Sequence, residues 1–225
     1  MTSQLQVPTV PFWSPVEIQA SLGATIAQLR AHRMLAYPTE TVYGLGGGVD
    51  PLSVETLVAL KHRMTSKPFL LLIAAGEMLG DLGLHLTPAG AALAARFWPG
   101  PLTLVLPGGE RRVPDPLRGP EGGVGVRWTS HTGLQRLLLA YGAPITSTSA
   151  NLPGALPAMS TEAIVRDWRD QIANGLMRVL DAGTLVPSPP STVVDCMGTR
   201  PRVIRPGAIS AATLRAAVPD LIGDT

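Results

Sequence analysis

The chain has 225 residues, 45% of them apolar and only 15% charged, with a formal net charge of +2. That length gives one sizeable domain with its own core or two small ones, and so small a charge argues against a protein that coats nucleic acid through a general basic excess. The single cysteine, Cys196, excludes an internal disulfide framework and fits a reducing compartment, while no stretch approaches the roughly 20 apolar residues of a membrane helix.

The first twenty residues carry no Lys or Arg and no long apolar run, so no leader peptide is expected. Ser14-Pro15-Val16-Glu17 reads as a capping box with Pro at the first helical position, opening a helix that runs to about Arg33. Met34 to Tyr37 is a short strand ended by Pro38, and Thr39 to Gly48 reads as a polar, glycine-rich turn. Ser53 to His62 has helical periodicity. Pro68 to Ala75 is a buried strand by length and apolarity. Thr87 caps a helix with Pro88 at its start, reaching Trp98. Leu102 to Pro107 and Gly123 to Trp128 are strands around a loop rich in Arg, Pro and Gly.

A helix over Thr132 to Tyr141 ends at Gly142-Ala143-Pro144, and a strand beginning at Ile145 runs into a polar turn at Asn151. Another helix spans Thr161 to Asn174. Short strands follow at Met177 to Leu180, Thr192 to Asp195 and Arg202 to Ile204, and Ser210 caps a last helix. The alternation of short apolar runs with helical segments indicates an α/β or α+β fold. No repeat or linker divides the chain, so one domain over 1–225 is expected.

Four polar clusters stand at strand ends. Thr39-Glu40-Thr41, followed by Tyr43 and several glycines, combines hydroxyls with backbone that a ligand can approach closely. Lys61, Arg63 and Lys67 gather in one helix-to-loop segment, and they include the only two lysines of the chain. Such a group can clamp a polyanion, although an ordinary solvated basic turn would look the same. Thr146, Ser147, Thr148, Ser149 and Asn151 form a dense hydroxyl and amide run suited to a nucleotide edge, or to a polar turn. Ser191, Arg205 and Arg127 make up the last group, whose strand-end arginines can clamp a carboxylate or phosphate or simply be exposed edge charges. The chain has no phosphate-loop or dinucleotide fingerprint, no metal-binding spacing among its histidines and no nucleophile elbow. What is left is a hydroxyl- and cation-lined site, which works by positioning and charge stabilisation.

In order, "YPTETVYGLG", "KHRMTSKPFLLLI", "WPGPLTLVL", "GVGVR", "TSTSANLPG" and "STVVD…RVIRPG" resemble the YrdC-type threonylcarbamoyl-AMP synthases over about residues 24–210, in their short, single-domain form. The resemblance implies an α/β fold with a twisted, curved mixed sheet and flanking helices around a positively charged cavity. It implies synthesis of threonylcarbamoyl-adenylate and pyrophosphate from L-threonine, bicarbonate and ATP, with Mg²⁺ carried on the ATP. The product then serves modification of adenosine 37 of tRNA through separate transferase proteins, so that tRNA is involved only indirectly and no membrane is.

Carried over by motif, Lys61 and Arg63 are the catalytic cations. Thr41, Arg127, Ser147 and Ser191 contact L-threonine. Arg63, Lys67, Gly123, Ser149, Asn151 and Arg205 contact ATP, and no residue is a metal ligand. Two positions depart from the pattern: Leu72 replaces a histidine near threonine, and the segment around Pro157 lacks the usual nucleotide-side residues. A related carbamoyl-adenylate-forming domain and a non-catalytic RNA-binding module are the alternatives. Aromatics at 4% leave few stacking platforms for the latter. The expected setting is cytoplasmic.

Overall fold

The computed structural model describes residues 9–62 and 68–223. The first half runs β1 (Val10–Pro11), α1 (Pro15–Arg30), β2 (Met34–Tyr37), β3 (Gly44–Gly46), α2 (Pro51–Lys61), β4 (Leu70–Ile73), α3 (Glu77–Asp81), α4 (Pro88–Phe97) and β5 (Leu102–Leu106). After a 3-10 turn at Asp115–Leu117 come β6 (Val124–Trp128), α5 (Thr132–Tyr141), β7 (Ile145–Ser149), α6 (Thr161–Asp167) and α7 (Arg169–Ala173). The chain closes with β8 (Met177–Asp181), β9 (Thr192–Asp195), β10 (Arg202–Arg205) and α8 (Ala211–Arg215).

The strands form one mixed, ten-stranded sheet in the order β1-β8-β2-β3-β7-β4-β6-β5-β9-β10. Parallel pairs (β1/β8, β2/β8, β4/β6, β5/β9) are interspersed with antiparallel ones (β2/β3, β3/β7, β4/β7, β5/β6, β9/β10). Strands adjacent in the sheet are thus often far apart in the chain. The α/β class expected from the sequence is what the chain adopts. The core is built from fully buried side chains such as Tyr37, Leu45, Leu71, Leu104, Val126 and Leu137. Helices α1 and α5 pack against each other, α4 against β5, and α6 and α7 against β8.

Local chemistry explains most boundaries. Ser14 accepts the Glu17 N–H at 3.3 Å while the Glu17 carboxylate accepts the Ser14 N–H at 2.8 Å, the reciprocal box its spacing predicts. Helix α1 stops at Arg30, short of the expected Arg33. His32 takes a left-handed φ of 57°, and the amides of His32 and Arg33 turn back to the carbonyls of Leu29 and Gln28. The His32 imidazole is held by Asp50 at 2.7 Å. Helix α2 begins at Pro51 rather than Ser53, because Asp50 is the cap and accepts the Ser53 N–H at 3.0 Å. The helix expected over Thr161–Asn174 is two helices, interrupted at Trp168. That indole is buried and donates to the Ala150 carbonyl at 3.0 Å, so the residue serves the loop after β7 rather than helical continuity.

The largest difference is at Gly44–Gly46, expected as turn and found as the strand β3 between β2 and β7. Glycine is required there by close approach rather than by φ. A Cβ on Gly46 would lie 1.7 Å from the Thr146 carbonyl oxygen, and one on Gly44 would lie 2.5 Å from the Tyr37 ring. Tyr37 then donates its hydroxyl to the Thr146 carbonyl at 3.0 Å, locking β2 to β7 across β3. The phenol is fully buried, and burial pushes its pKa well above the usual value.

Candidate active site

One cavity of about 800 Å³ opens over the middle and one end of the sheet. Its lining comes from the Thr39–Gly44 segment, the start of β4, β5, the loop before β6, β6, β7, the loop after β7 and the segments around β9 and β10.

The turn that enters β3 is built by its own hydroxyls. Thr39 Oγ1 accepts the N–H groups of Thr41 and Val42 at 3.1 and 3.2 Å and donates to the Val42 carbonyl at 2.6 Å. Thr41 Oγ1 lies 3.1 Å from Thr39 Oγ1 and accepts from Arg127 Nη1 at 3.4 Å. The Tyr43 hydroxyl accepts the Ala182 N–H at 3.0 Å and donates to the Gly183 carbonyl at 2.8 Å, tying the turn to the end of β8; burial pushes its pKa up to about 12. Arg127, near the end of β6, is only 4% exposed. Glu40 Oε1 lies 3.7 Å from Arg127 Nε, and Glu40 Oε2 accepts from the Thr129 hydroxyl at 2.7 Å. Leu72 is the register partner of Arg127 in β4 and is fully buried.

A second wall comes from β5, β9 and β10. Thr103 and Ser191 hydroxyls are 2.9 Å apart, and Arg205 Nη2 donates to both the Ser191 hydroxyl (3.0 Å) and its carbonyl (2.8 Å). Burial, reinforced by the nearby Arg127 charge, holds the Arg205 pKa below the usual arginine value. Arg202 and Arg205 are three residues apart, so in a regular strand they would face opposite sides. The register with β9 shifts between Val203 and Arg205, and that bulge lets both arginines line the cavity.

The turn after β7 forms the third part. Ser147 and Ser149 line the cavity. Asn151 Nδ2 donates to the carbonyls of Leu152 (2.8 Å) and Ala155 (2.7 Å), while its Oδ1 is buried with no hydrogen-bond partner among the described residues. Lys61, at the end of α2, is buried; its ammonium donates to the Ser149 carbonyl at 3.0 Å and to the Asn151 carbonyl. It thus braces this turn from behind and is not among the residues lining the cavity.

The structure therefore brings Thr41, Arg127, Ser147, Ser149, Ser191, Arg205 and Gly123 to one cavity, with Lys61 and Asn151 bonded in the turn beside it. Arg63 and Lys67 lie outside the described residues. Pro157 lines the rim next to Leu156, which is 88% exposed. The charged groups in the described lining are Arg127, Arg202, Arg205, Glu121 and Asp195.

Three participants escape sequence reasoning. Thr103 was readable as a hydroxyl at an alternate position between the buried Leu102 and Leu104, which faces it away from the core. Arg202 was hidden by the bulge. Glu40 sits inside the quoted turn, but nothing in the sequence pairs it with Arg127, 87 positions away.

Comparisons with known proteins agree on one relationship. A threonylcarbamoyl-AMP synthase of Pyrococcus abyssi is 35% identical over 182 residues, covering 80% of this chain and 52% of that protein. This chain thus spans about half of that relative. A threonylcarbamoyl-AMP synthase of Vibrio parahaemolyticus is 35% identical over 170 residues, covering 74% of this chain and 89% of the relative. Among solved structures, P. abyssi Sua5 complexed with L-threonine superposes with a TM-score of 0.81 at 29% identity, over 93% of this chain and 60% of that one. The Sua5/YciO/YrdC family model, described as telomere recombination, matches residues 27–207. With that match spanning most of the fold and every segment of the cavity, the chain belongs to the Sua5/YciO/YrdC family.

Proposed function

We propose that this chain is a threonylcarbamoyl-AMP synthase, making threonylcarbamoyl-adenylate and pyrophosphate from L-threonine, bicarbonate and ATP. The observation that carries the reading is the buried guanidinium of Arg127 on the cavity wall beside Thr41, with Arg205 lining the same cavity. Two cations so placed favour a ligand with separate anionic groups, as an amino acid carboxylate and a nucleotide phosphate provide.

In this reading Arg127 takes the threonine carboxylate, with Thr41, Ser147 and Ser191 around the amino acid. Arg205, Ser149 and the backbone at Gly123 face ATP, Asn151 and Lys61 hold the turn against it, and Arg63 and Lys67 add cations to the phosphates. The threonine amine condenses with bicarbonate to a carbamate, releasing water. A carbamate oxygen then attacks the α-phosphorus as the bond to the β-phosphate oxygen breaks, and pyrophosphate leaves. Such a transfer needs alignment and neutralisation of charge more than a protein nucleophile. Cys196, buried and pushed up to about 12, offers no thiolate.

Mg²⁺ would enter on the ATP phosphates and neutralise their charge. The donor set fits that mode: Asp195 already accepts the Met197 N–H at 2.9 Å and faces Arg202 at 3.4 Å, and no cluster of three His, Cys, Asp or Glu groups forms a cage among the described residues. Transfer of the threonylcarbamoyl group to tRNA would fall to separate proteins, in the cytoplasm. No helix among the described residues is long and apolar enough to cross a membrane.

The test incubates purified protein with ATP, Mg²⁺, labelled bicarbonate and L-threonine. Labelled threonylcarbamoyl-adenylate with matching pyrophosphate, dependent on threonine, is expected. Turnover with carbamoyl phosphate in place of threonine and bicarbonate would overturn the reading.

A further inference from the structure

Arg127 is a charged group in a nearly dry place, and its surroundings are unusual in what they leave unpaired. Its Nε and Glu40 Oε1 stand 3.7 Å apart, both are buried, and neither has a hydrogen-bond partner among the described residues. A buried guanidinium without a counter-charge would be strongly disfavoured, so the carboxylate facing it compensates its charge and sets its direction. Glu40 does not line the cavity, whereas Arg127 does. The carboxylate is itself held: Thr129 donates to Oε2 at 2.7 Å, and Thr129 also accepts the His131 N–H at 3.1 Å at the start of α5. Arg127 Nη1 meanwhile meets Thr41 Oγ1, which belongs to the same turn as Glu40.

We infer that Glu40 is the positioning residue of Arg127. It acts from behind the cavity wall, through the Nε side of the guanidinium, and leaves the remaining N–H groups to a carboxylate ligand. The inference rests on the proposed function in taking that ligand to be the carboxylate of L-threonine. Glu40, Thr129 and Arg127 then form one chain from the cap of α5 to the substrate. Loss of any link should weaken amino acid binding while leaving the nucleotide side alone. The opposite effect is physically conceivable, because a carboxylate also repels the incoming substrate carboxylate. Burial decides between them: the cost of an unneutralised guanidinium in a dry site outweighs repulsion from a group on its far side.

The experiment measures pyrophosphate release with threonine varied at saturating ATP and with ATP varied at saturating threonine. Glu40→Gln should raise KM for threonine on the order of tenfold, ~1.4 kcal/mol, with KM for ATP unchanged. Thr129→Val should move the same constant less, and the double variant should be no worse than Glu40→Gln alone, since both changes break one chain. Equal rises in both KM values, a fall in KM for threonine, or additive losses would each overturn the inference.

An independent readout uses no substrate. The Arg127 Nε–H resonance, assigned by its loss in Arg127→Lys, should shift and exchange faster with solvent in Glu40→Gln. An unchanged resonance would also overturn it. Wild-type protein that shows this coupling but no threonine-dependent turnover would instead remove the proposed function and leave the positioning role standing.

Discussion

Removing the ammonium of Lys61 takes from the Ser149 and Asn151 carbonyls the cation they face. Lys61→Met keeps most of the buried stem and isolates that loss. It should cost about 1–3 kcal/mol in denaturant unfolding, the penalty of buried acceptors left unmade. On the proposed assignment of that turn to the nucleotide, it should also raise KM for ATP more than KM for threonine. Arg127→Ala should instead nearly abolish threonine-dependent product, read as a collapse of kcat/KM for threonine.

His131 provides a pH test. Its Nδ1 accepts the Leu134 N–H at 3.2 Å, its ring stacks on Phe12, and burial holds its pKa below 6.5, with Glu40 pulling weakly the other way. The unfolded chain therefore binds a proton here more readily than the folded one, so stability is complete above the unfolded value and declines as pH falls through it. Thermal melting from pH 7.5 down to 5 should show that decline, and His131→Asn, which keeps a capping acceptor, should flatten it. At this scale the sequence revealed residue types and strand-end positions, which placed Arg127, Ser191 and Arg205. Partnerships such as Glu40 with Arg127 depend on strands joining distant segments and leave no trace in spacing.

The elements divide by the range of the forces that make them. Helices opened by Ser14-Pro15 and Thr87-Pro88 were legible because their caps are local chemistry, complete within four residues. Strand β3 was not, because its glycines answer to Thr146 and Tyr37, which only the folded sheet brings close. The break at Trp168 has the same origin in a distant carbonyl. Two glycine substitutions separate these cases. Gly46→Ala should destabilise by about 3 kcal/mol or more, since backbone must move to admit the methyl. Gly23→Ala, in α1 with nothing within 4 Å of its added carbon, should stabilise by roughly 0.5–1 kcal/mol. Thermal unfolding of the two variants beside the parent checks both signs.

Over the whole molecule, the cavity exists only when segments from residue 39 to residue 205 are in register. The alternation of apolar runs and helices was enough for the fold class, but the strand order that places β3, β7, β4 and β6 side by side is a product of long-range pairing. A ligand gripping that many segments should stabilise the entire fold. ATP or threonine alone at a hundredfold excess over Kd should add ~2.7 kcal/mol, or roughly 5–10 °C in Tm for a domain of this size. Differential scanning calorimetry with each ligand alone and with both checks the linkage.

The bulge in β10 has one more effect. This strand is the last in the sheet, and its outer edge is where another copy of the chain could add a strand and begin a fibre. The register shift between Val203 and Arg205 kinks that row of amides and carbonyls, and Ile222 takes the Val203 N–H at 3.0 Å. The opposite edge, β1, is two residues long and ends in Pro11, which has no N–H to offer. The irregularity that turns two arginines toward one cavity therefore also makes the sheet a poor template for its own aggregation.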